Sequence, residues 1–390
     1  MKRNSRHDYK EGHSVKLLQS GEPFFAANIK AIDEARHYIH FQTYIIDEDG
    51  TGQRIIDALV RAARRRVRVY LLLDAFGTKY LSDEFIGKIE DSGIMFRFFS
   101  PVFITKGFHM SLRLHHKVLL ADGELAIIGG MNFADRYHGT TGKREWLDFA
   151  VIVKGPECMH INSIMRKLWN KTFISKEERS NEIVRDVKIY EENIKLRVTE
   201  NNWYRNKIEI LRSYRSAFKH ARHHMIIFAS YFLPGRLERK LLRLASARGV
   251  DIKIVLAAES DAPMFKRATG FLYEYILRNN IKIYEYLPSN LHAKVATVDG
   301  NWCTVGSYNL NHISDYGSIE MNADILDTAF TENFEKLLLK IIKNDCRQIT
   351  TEEYLKRRTW YSRLRGWFSY QMIRFLMRLM AQMTAKKGKP

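Results

Sequence analysis

Residues Leu114 to Asn132 read LHHKVLLADGELAIIGGMN, and residues Leu291 to Asn309 read LHAKVATVDGNWCTVGSYN. Both follow one template: His-x-Lys, four residues, Asp, six residues, then Gly, Gly or Ser, any residue, Asn. A pattern with six matched positions that recurs in one chain of 390 residues indicates a duplicated unit. The duplication extends upstream. Ala35-Arg36-His37 leads into an apolar run from Tyr38 to Ile46, and Ala221-Arg222-His223 leads into Met225 to Phe232. A basic amphipathic helix is predicted over Arg54 to Arg65 and again over Arg236 to Arg248. Each feeds a short buried-strand pattern, Val67 to Asp74 and Val250 to Ala257. Strand-helix-strand order in both halves predicts two α/β domains with predominantly parallel sheets. The expected boundaries are 1–170 for the first domain, 171–201 for a charged linker poor in aromatics, 202–345 for the second domain and 346–390 for a basic tail.

On a strand, residues two apart share a face, so His115 projects with Lys117 and His292 with Lys294. An imidazole beside an ammonium suits a phosphate, supplying a nucleophile or acid together with charge neutralisation. Gly130, beside Gly129, allows a close backbone approach to a ligand, while Asn132, Ser307 and Asn309 offer neutral donors to phosphoryl oxygens. A helix starting after either Asn would add N-terminal amides. Asp122-Gly123 and Asp299-Gly300 separate apolar runs and read as hairpin turns. Carboxylates able to orient the imidazoles lie downstream. Asp148 follows His115 by 33 residues and Asp324 follows His292 by 32, with Glu320 a nearby rival. His116 points to the opposite strand face and reads as packing or solvent-facing. Tyr44 and Tyr231 read as core residues first and pocket wall second, and His109, near Lys106 and Gly107, as an ordinary loop residue. Cys158, Cys303 and Cys346 fit neither a disulfide framework nor a zinc site, and read as buried small hydrophobes.

The doubled template resembles the paired HxKxxxxD motifs of the phospholipase D superfamily, over about Gly21 to Leu339. Gly129-Gly130-Met131-Asn132, Val153-Lys154-Gly155-Pro156 and Ser307-Tyr308-Asn309-Leu310 narrow the likeness to bacterial cardiolipin synthases lacking amino-terminal transmembrane helices. The resemblance implies two α/β/α domains related by a pseudo-twofold axis around one shared active site. It implies a catalytic set of His115, Lys117, Asp122, His292, Lys294 and Asp299, with His115 the nucleophile, and it calls for no metal and no cofactor. Its Asn-x-acid element falls on Asn322-Ala323-Asp324, where those enzymes usually carry Glu. The activity implied is transfer of a phosphatidyl group between two phosphatidylglycerols through a phosphatidyl-histidine, with release of glycerol. A hydrolase of the same superfamily, phospholipase or nuclease, is the alternative.

Charge placement bears on that choice. Lys and Arg number 63 against 44 acidic residues, a net charge of +19. Residues 354–390 hold ten Lys or Arg and no Asp or Glu, interleaved with Trp360, Leu364, Trp367, Phe368, Phe375, Leu376 and Leu379. That composition fits an interfacial helix on an anionic membrane better than a nucleic-acid groove, with Gly366 a possible hinge. The start, Met1 to Gly12, has no secretory h-region, and no apolar run reaches bilayer length. The expected location is the cytoplasmic face of a bacterial cell membrane, held peripherally, with a phospholipid as substrate.

Overall fold

The computed structural model describes residues 8–100, 112–139, 142, 144–172, 178–184, 187–202, 207–357 and 359–387. His109, Lys106 and Gly107 lie outside them.

The first half runs β1 (Lys10–Gln19), α1 (Glu22–Glu34), β2 (Tyr38–Thr43), α2 (Gly50–Arg64), β3 (Arg68–Asp74), α3 (Asp83–Glu90), β4 (Met95–Phe99), β5 (Arg113–Leu114), β6 (Lys117–Ala121), β7 (Leu125–Gly129), α4 (Asp135–His138), β8 (Phe149–Lys154) and α5 (Glu157–Trp169). The second repeats that order: β9 (Ile194–Asn202), β10 (Lys207–Ile208), α6 (Glu209–His220), β11 (His224–Ala229), α7 (Arg236–Ala247), β12 (Asp251–Ala257), α8 (Pro263–Arg278), β13 (Lys282–Tyr286), β14 (Lys294–Val298), β15 (Trp302–Gly306), α9 (His312–Tyr316), β16 (Ser318–Leu326) and α10 (Thr328–Asp345). The chain continues through β17 (Cys346–Ile349), α11 (Thr351–Arg357) and α12 (Trp360–Lys387).

One sheet has the order β1-β8-β7-β6-β2-β3-β4, and the other β9-β16-β15-β14-β11-β12-β13-β17. Strands β1 and β5 also pair with β9 and β16, joining the sheets into one strand network. The expectation of mainly parallel sheets is corrected. Only β2-β3-β4 and β11-β12-β13 run parallel within each sheet, because the Asp-Gly turns fold β6-β7 and β14-β15 into antiparallel hairpins.

Helices α1 to α3 cover the outer face of the first sheet through Phe24, Ile55 and Phe85. Helices α6 to α8 cover the outer face of the second through Tyr214, Leu242 and Leu272. The inner faces meet each other, with α5 and α10, in one shared core around Leu120, Val151, Trp169, Phe228, Val305 and Met321. Each half is thus an α/β/α sandwich sharing its inner layer with the other.

Two boundaries move. The predicted linker over 171–201 contains nearly all of β9, whose buried Ile194, Leu196 and Val198 alternate with the less buried Lys195 and Arg197 against β16. At the other end β17 pairs with β13, so the second sheet extends past residue 345 to Ile349.

Helix α12 is continuous through Gly366, which corrects the expected hinge. The glycine instead allows close packing on α8: a Cβ there would meet the Arg267 carbonyl oxygen at 3.3 Å and Phe271 Cβ at 3.4 Å. The same face buries Ser369, Tyr370 and Ile373. Full burial of one such large apolar side chain is worth about 2 kcal/mol, so this stripe is an adequate seat. Trp360, Leu364, Trp367, Phe368 and Phe375 stay exposed. Among the described residues no helix is long and apolar enough to cross a membrane.

Candidate active site

The two template segments meet where each half lends backbone to the other. His115 N–H donates to the Ile319 carbonyl at 3.0 Å, and His292 N–H to the Leu147 carbonyl at 2.8 Å. The residue after each of those carbonyls is a buried carboxylate, Glu320 and Asp148. His115 Nδ1 donates to Glu320 Oε2 at 2.9 Å, and His292 Nδ1 to Asp148 Oδ2 at 2.6 Å. Each imidazole is therefore oriented by the opposite half. With Nδ1 occupied as a donor, Nε2 is left as the reacting nitrogen of both rings.

This arrangement corrects the sequence-based pairing on two counts. Asp148 serves His292 rather than His115, and Asp324 serves neither. Asp324 accepts from Ser213 Oγ at 2.6 Å, Thr304 Oγ1 at 2.8 Å and Arg197 Nε at 3.2 Å. Glu320, the rival, holds the orienting position. The register explains why. Gly129 pairs with Ala150 and Gly306 with Asn322, so Asp148 and Glu320 each stand two residues before the partner of a template glycine. The loop from Asn132 to Asp148 is longer than that from Asn309 to Glu320, and sequence separation from the histidine hides the correspondence.

The two carboxylates sit in different surroundings. Glu320 accepts from the hydroxyls of Ser307 at 2.6 Å, Ser314 at 2.8 Å and Ser318 at 2.9 Å. Burial pushes its pKa up, but His115, Lys117 and Ser307 together hold it below the ordinary value. Asp148 accepts from Phe149 N–H at 2.8 Å and lies 3.5 Å from Lys294 Nζ. There burial wins, and the carboxyl is pushed up to about 6 despite Lys294. Burial lowers both imidazoles, His292 well below its ordinary value with help from Lys294 and Lys117, while Glu320 partly offsets the effect at His115. Burial likewise lowers Lys294, and brings Lys117 down to about 7. The side chains of His115 and His292 remain 17% and 8% exposed.

The lysines flank their own histidines. Lys117 Nζ donates to the His115 carbonyl at 2.6 Å, and Lys294 Nζ stands 2.8 Å from His292 Nδ1. Tyr44, read from sequence as core first and pocket wall second, takes the second place: its ring lies 5.1 Å from the His115 ring and 5.3 Å from Lys117 Nζ. Tyr231 is also half-buried and donates to Asp261 Oδ1 at 2.7 Å. His116 is fully buried on the opposite strand face, with Nε2 2.9 Å from Gln42 Oε1. Sequence reasoning missed Tyr137 and Trp146, whose rings stand 5.1 and 6.1 Å from that of His292, and nothing in their spacing singles them out.

Asp122 and Asp299, implied as catalytic by the motif, lie at the far end of the hairpins. Asp122 accepts from the backbone N–H groups of Arg36, His37 and Tyr38 at 2.8–2.9 Å, and Asp299 from those of Arg222, His223 and His224 at the same distances. Both occupy left-handed backbone conformations, φ 53° and 52°, as turn residues. They tie the start of β2 and β11 to the hairpin and touch neither imidazole.

Gly130 makes its close approach to Asp148 rather than to open space, since a Cβ would come within 2.5 Å of the carboxylate. Ser307 is fully buried with its hydroxyl on Glu320. The buried amides of Asn132 and Asn309 each leave their Oδ1 without a partner, a matched pair of polar ends within the site. The helices after them are short, and their first amides are taken: Asp49 caps Asp135 N–H, and Asn311 caps Ile313 and Ser314. The expected helix-terminal amides are therefore spent within the fold.

The family model described as "Cardiolipin synthase, PLD-like domain" matches residues 29–169 and 214–342, one copy per half. The chain belongs to this family. It is 31% identical to "Cardiolipin synthase B" of Salmonella typhimurium over 389 residues, covering 97% of this chain and 92% of that protein. Identity to the protein of the same name from Escherichia coli is 32% over the same span. The crystal structure of phosphatidylserine synthase from Haemophilus influenzae superposes with a TM-score of 0.71 over 95% of each chain, at 14% identity, and so shares the fold. The two family matches fall on the two halves that exchange carboxylates, consistent with duplication around a single phospholipase D-like site.

Proposed function

We propose that this protein is a phosphatidyltransferase that makes cardiolipin from two phosphatidylglycerols. The reading rests above all on two histidines from opposite halves, each pinned at Nδ1 by the other half's carboxylate and flanked by lysine. One Nε2 attacks the donor phosphorus, forming an N–P bond as the P–O bond to glycerol breaks. The second imidazole gives its proton to the departing glycerol oxygen. That imidazole then takes a proton from a glycerol hydroxyl of the acceptor phosphatidylglycerol, whose oxygen attacks phosphorus and releases the first histidine. Lys117 and Lys294 neutralise charge on the phosphoryl oxygens.

His115 fits the nucleophile. A phosphorylated imidazole that keeps its Nδ1 proton is a cation and needs a persistent anion beside it, which Glu320 in its serine nest supplies. Asp148 is the softer partner and suits His292, which must lose and regain a proton in each cycle. The exposed aromatic side chains of α12, with its arginines, support a peripheral attachment to an anionic membrane surface, each cation adding about 1 kcal/mol. Purified protein given phosphatidylglycerol alone is expected to yield cardiolipin and glycerol in equal amounts. Phosphatidic acid as the main product would replace transfer by hydrolysis.

A further inference from the structure

We propose that the short segment Phe76 to Tyr80 is a second bilayer contact, built into the rim of the site on the His115 side and separate from α12. The inference rests on the lipid reading of the site given above. Its base is fixed to the catalytic strand. The buried carboxylate of Asp74, at the end of β3, accepts from Phe76 N–H at 2.9 Å and Gly77 N–H at 3.1 Å on one side. On the other it accepts from Leu114 N–H at 2.7 Å, one residue before His115. Gly77 lies against the Tyr44 carbonyl, where a Cβ would come within 2.1 Å, and the Tyr44 ring faces His115. The segment is thus one side chain removed from the reacting imidazole.

Its outer surface has a composition the fold does not use. Phe76 is 47% exposed and Tyr80 86% exposed, and Lys79 Nζ lies 4.7 Å from the centroid of each ring. Arg113, adjoining on β5, stands 5.8 Å from the Phe76 ring and is itself paired with Asp74 at 3.4 Å, leaving Lys79 as the outward cation. Aromatic rings at headgroup depth with cations beside them match the chemistry of an anionic membrane interface. A lipid-handling site must also draw its substrate from such a surface. The corresponding segment of the second half, after β12, carries Glu259, Ser260 and Asp261 and has no aromatic. That half instead has α12 packed along α8, the helix that follows the acidic segment. Each half therefore contributes one aromatic-cationic element, a loop from the first and a helix from the second.

The test uses the full chain with two variants, F76S/Y80S and K79E, whose exposed positions leave the fold intact by thermal melt. Turnover is measured on phosphatidylglycerol vesicles and on short-chain phosphatidylglycerol kept below its micelle concentration. The expected result is a loss of about tenfold or more in vesicle kcat/KM, with short-chain kcat/KM unchanged within about twofold. Vesicle rates equal to the parent's, or parallel losses on both substrates, would overturn the bilayer role. If the parent chain turns over neither lipid, the reading of the site itself fails and this inference with it.

Discussion

Glu320 and Asp148 occupy equivalent positions in the two halves yet live in unlike environments. Glu320 is surrounded by three serine hydroxyls and stays ionised; Asp148 has one backbone N–H and a lysine, and its carboxyl is pushed up to about 6. The imidazoles they hold come from segments that share one His-x-Lys template. The lesson is that a duplicated motif can take two roles without changing the motif, because each copy is tuned by residues the other half contributes. Ser307, from the second template itself, is the one motif position that enters the distinction directly, where the first copy has Gly130.

The strongest challenge to that division of labour is removal of either ring. His115→Ala and His292→Ala are each expected to lower kcat by about 10⁴-fold or more, and the double variant little further, because the rings act as a unit. Protein quenched in alkaline denaturant, which spares the acid-labile N–P bond, should carry the phosphatidyl adduct on a histidine peptide containing residue 115. Trapping at residue 292 would reverse the assignment, and an active double variant would end it.

A smaller effect, but a sharper one, comes from neutralising the carboxylates one at a time. Glu320→Gln and Asp148→Asn are each expected to cost about 10²–10³-fold in kcat, with different steps affected. Glu320→Gln should slow formation of the histidine adduct in single-turnover quench, since the fixed anion beside the forming cation is lost. Asp148→Asn should chiefly slow its discharge to acceptor. Identical step profiles for the two variants would show that the environments do not divide the roles.

The mildest probe is pH. A carboxyl with a raised pKa is protonated as pH falls through about 6, and an ammonium with a lowered pKa is lost as pH rises through about 7. The profile of kcat/KM is therefore expected to be a narrow bell between limbs governed by Asp148 and Lys117, with apparent values that belong to the coupled site. Lys117→Arg, which keeps its charge, should move the alkaline limb upward by a unit or more. An unmoved limb would show that another group governs it.

Much of this was legible in the chain because it depends on local physics. The period-two pattern around His115 and His292 indicated which side chains share a face and put His116 on the opposite one, where the structure buries it. The Asp-Gly pairs announced turns, and the structure gives Asp122 and Asp299 the backbone contacts of turn residues. The tail's interleaved Arg and aromatics announced a helix, and α12 is one. What failed were assignments that depend on which strand lies beside which. Asp324 looked right by its distance from His292, but β16 brings Glu320 to the site two residues after the strand starts and carries Asp324, four residues further along, to Arg197. Gly366 looked like a hinge, and close packing on α8 made it a contact point.

The sequence by itself determined the duplication, the two His-Lys pairs and the hairpins that carry them, because periodicity and turn chemistry act over a few residues. Only the tertiary structure decided which carboxylate meets which imidazole. Those partners lie 205 and 144 residues apart in the chain, and their meeting depends on backbone pairing between the halves, which no local pattern encodes.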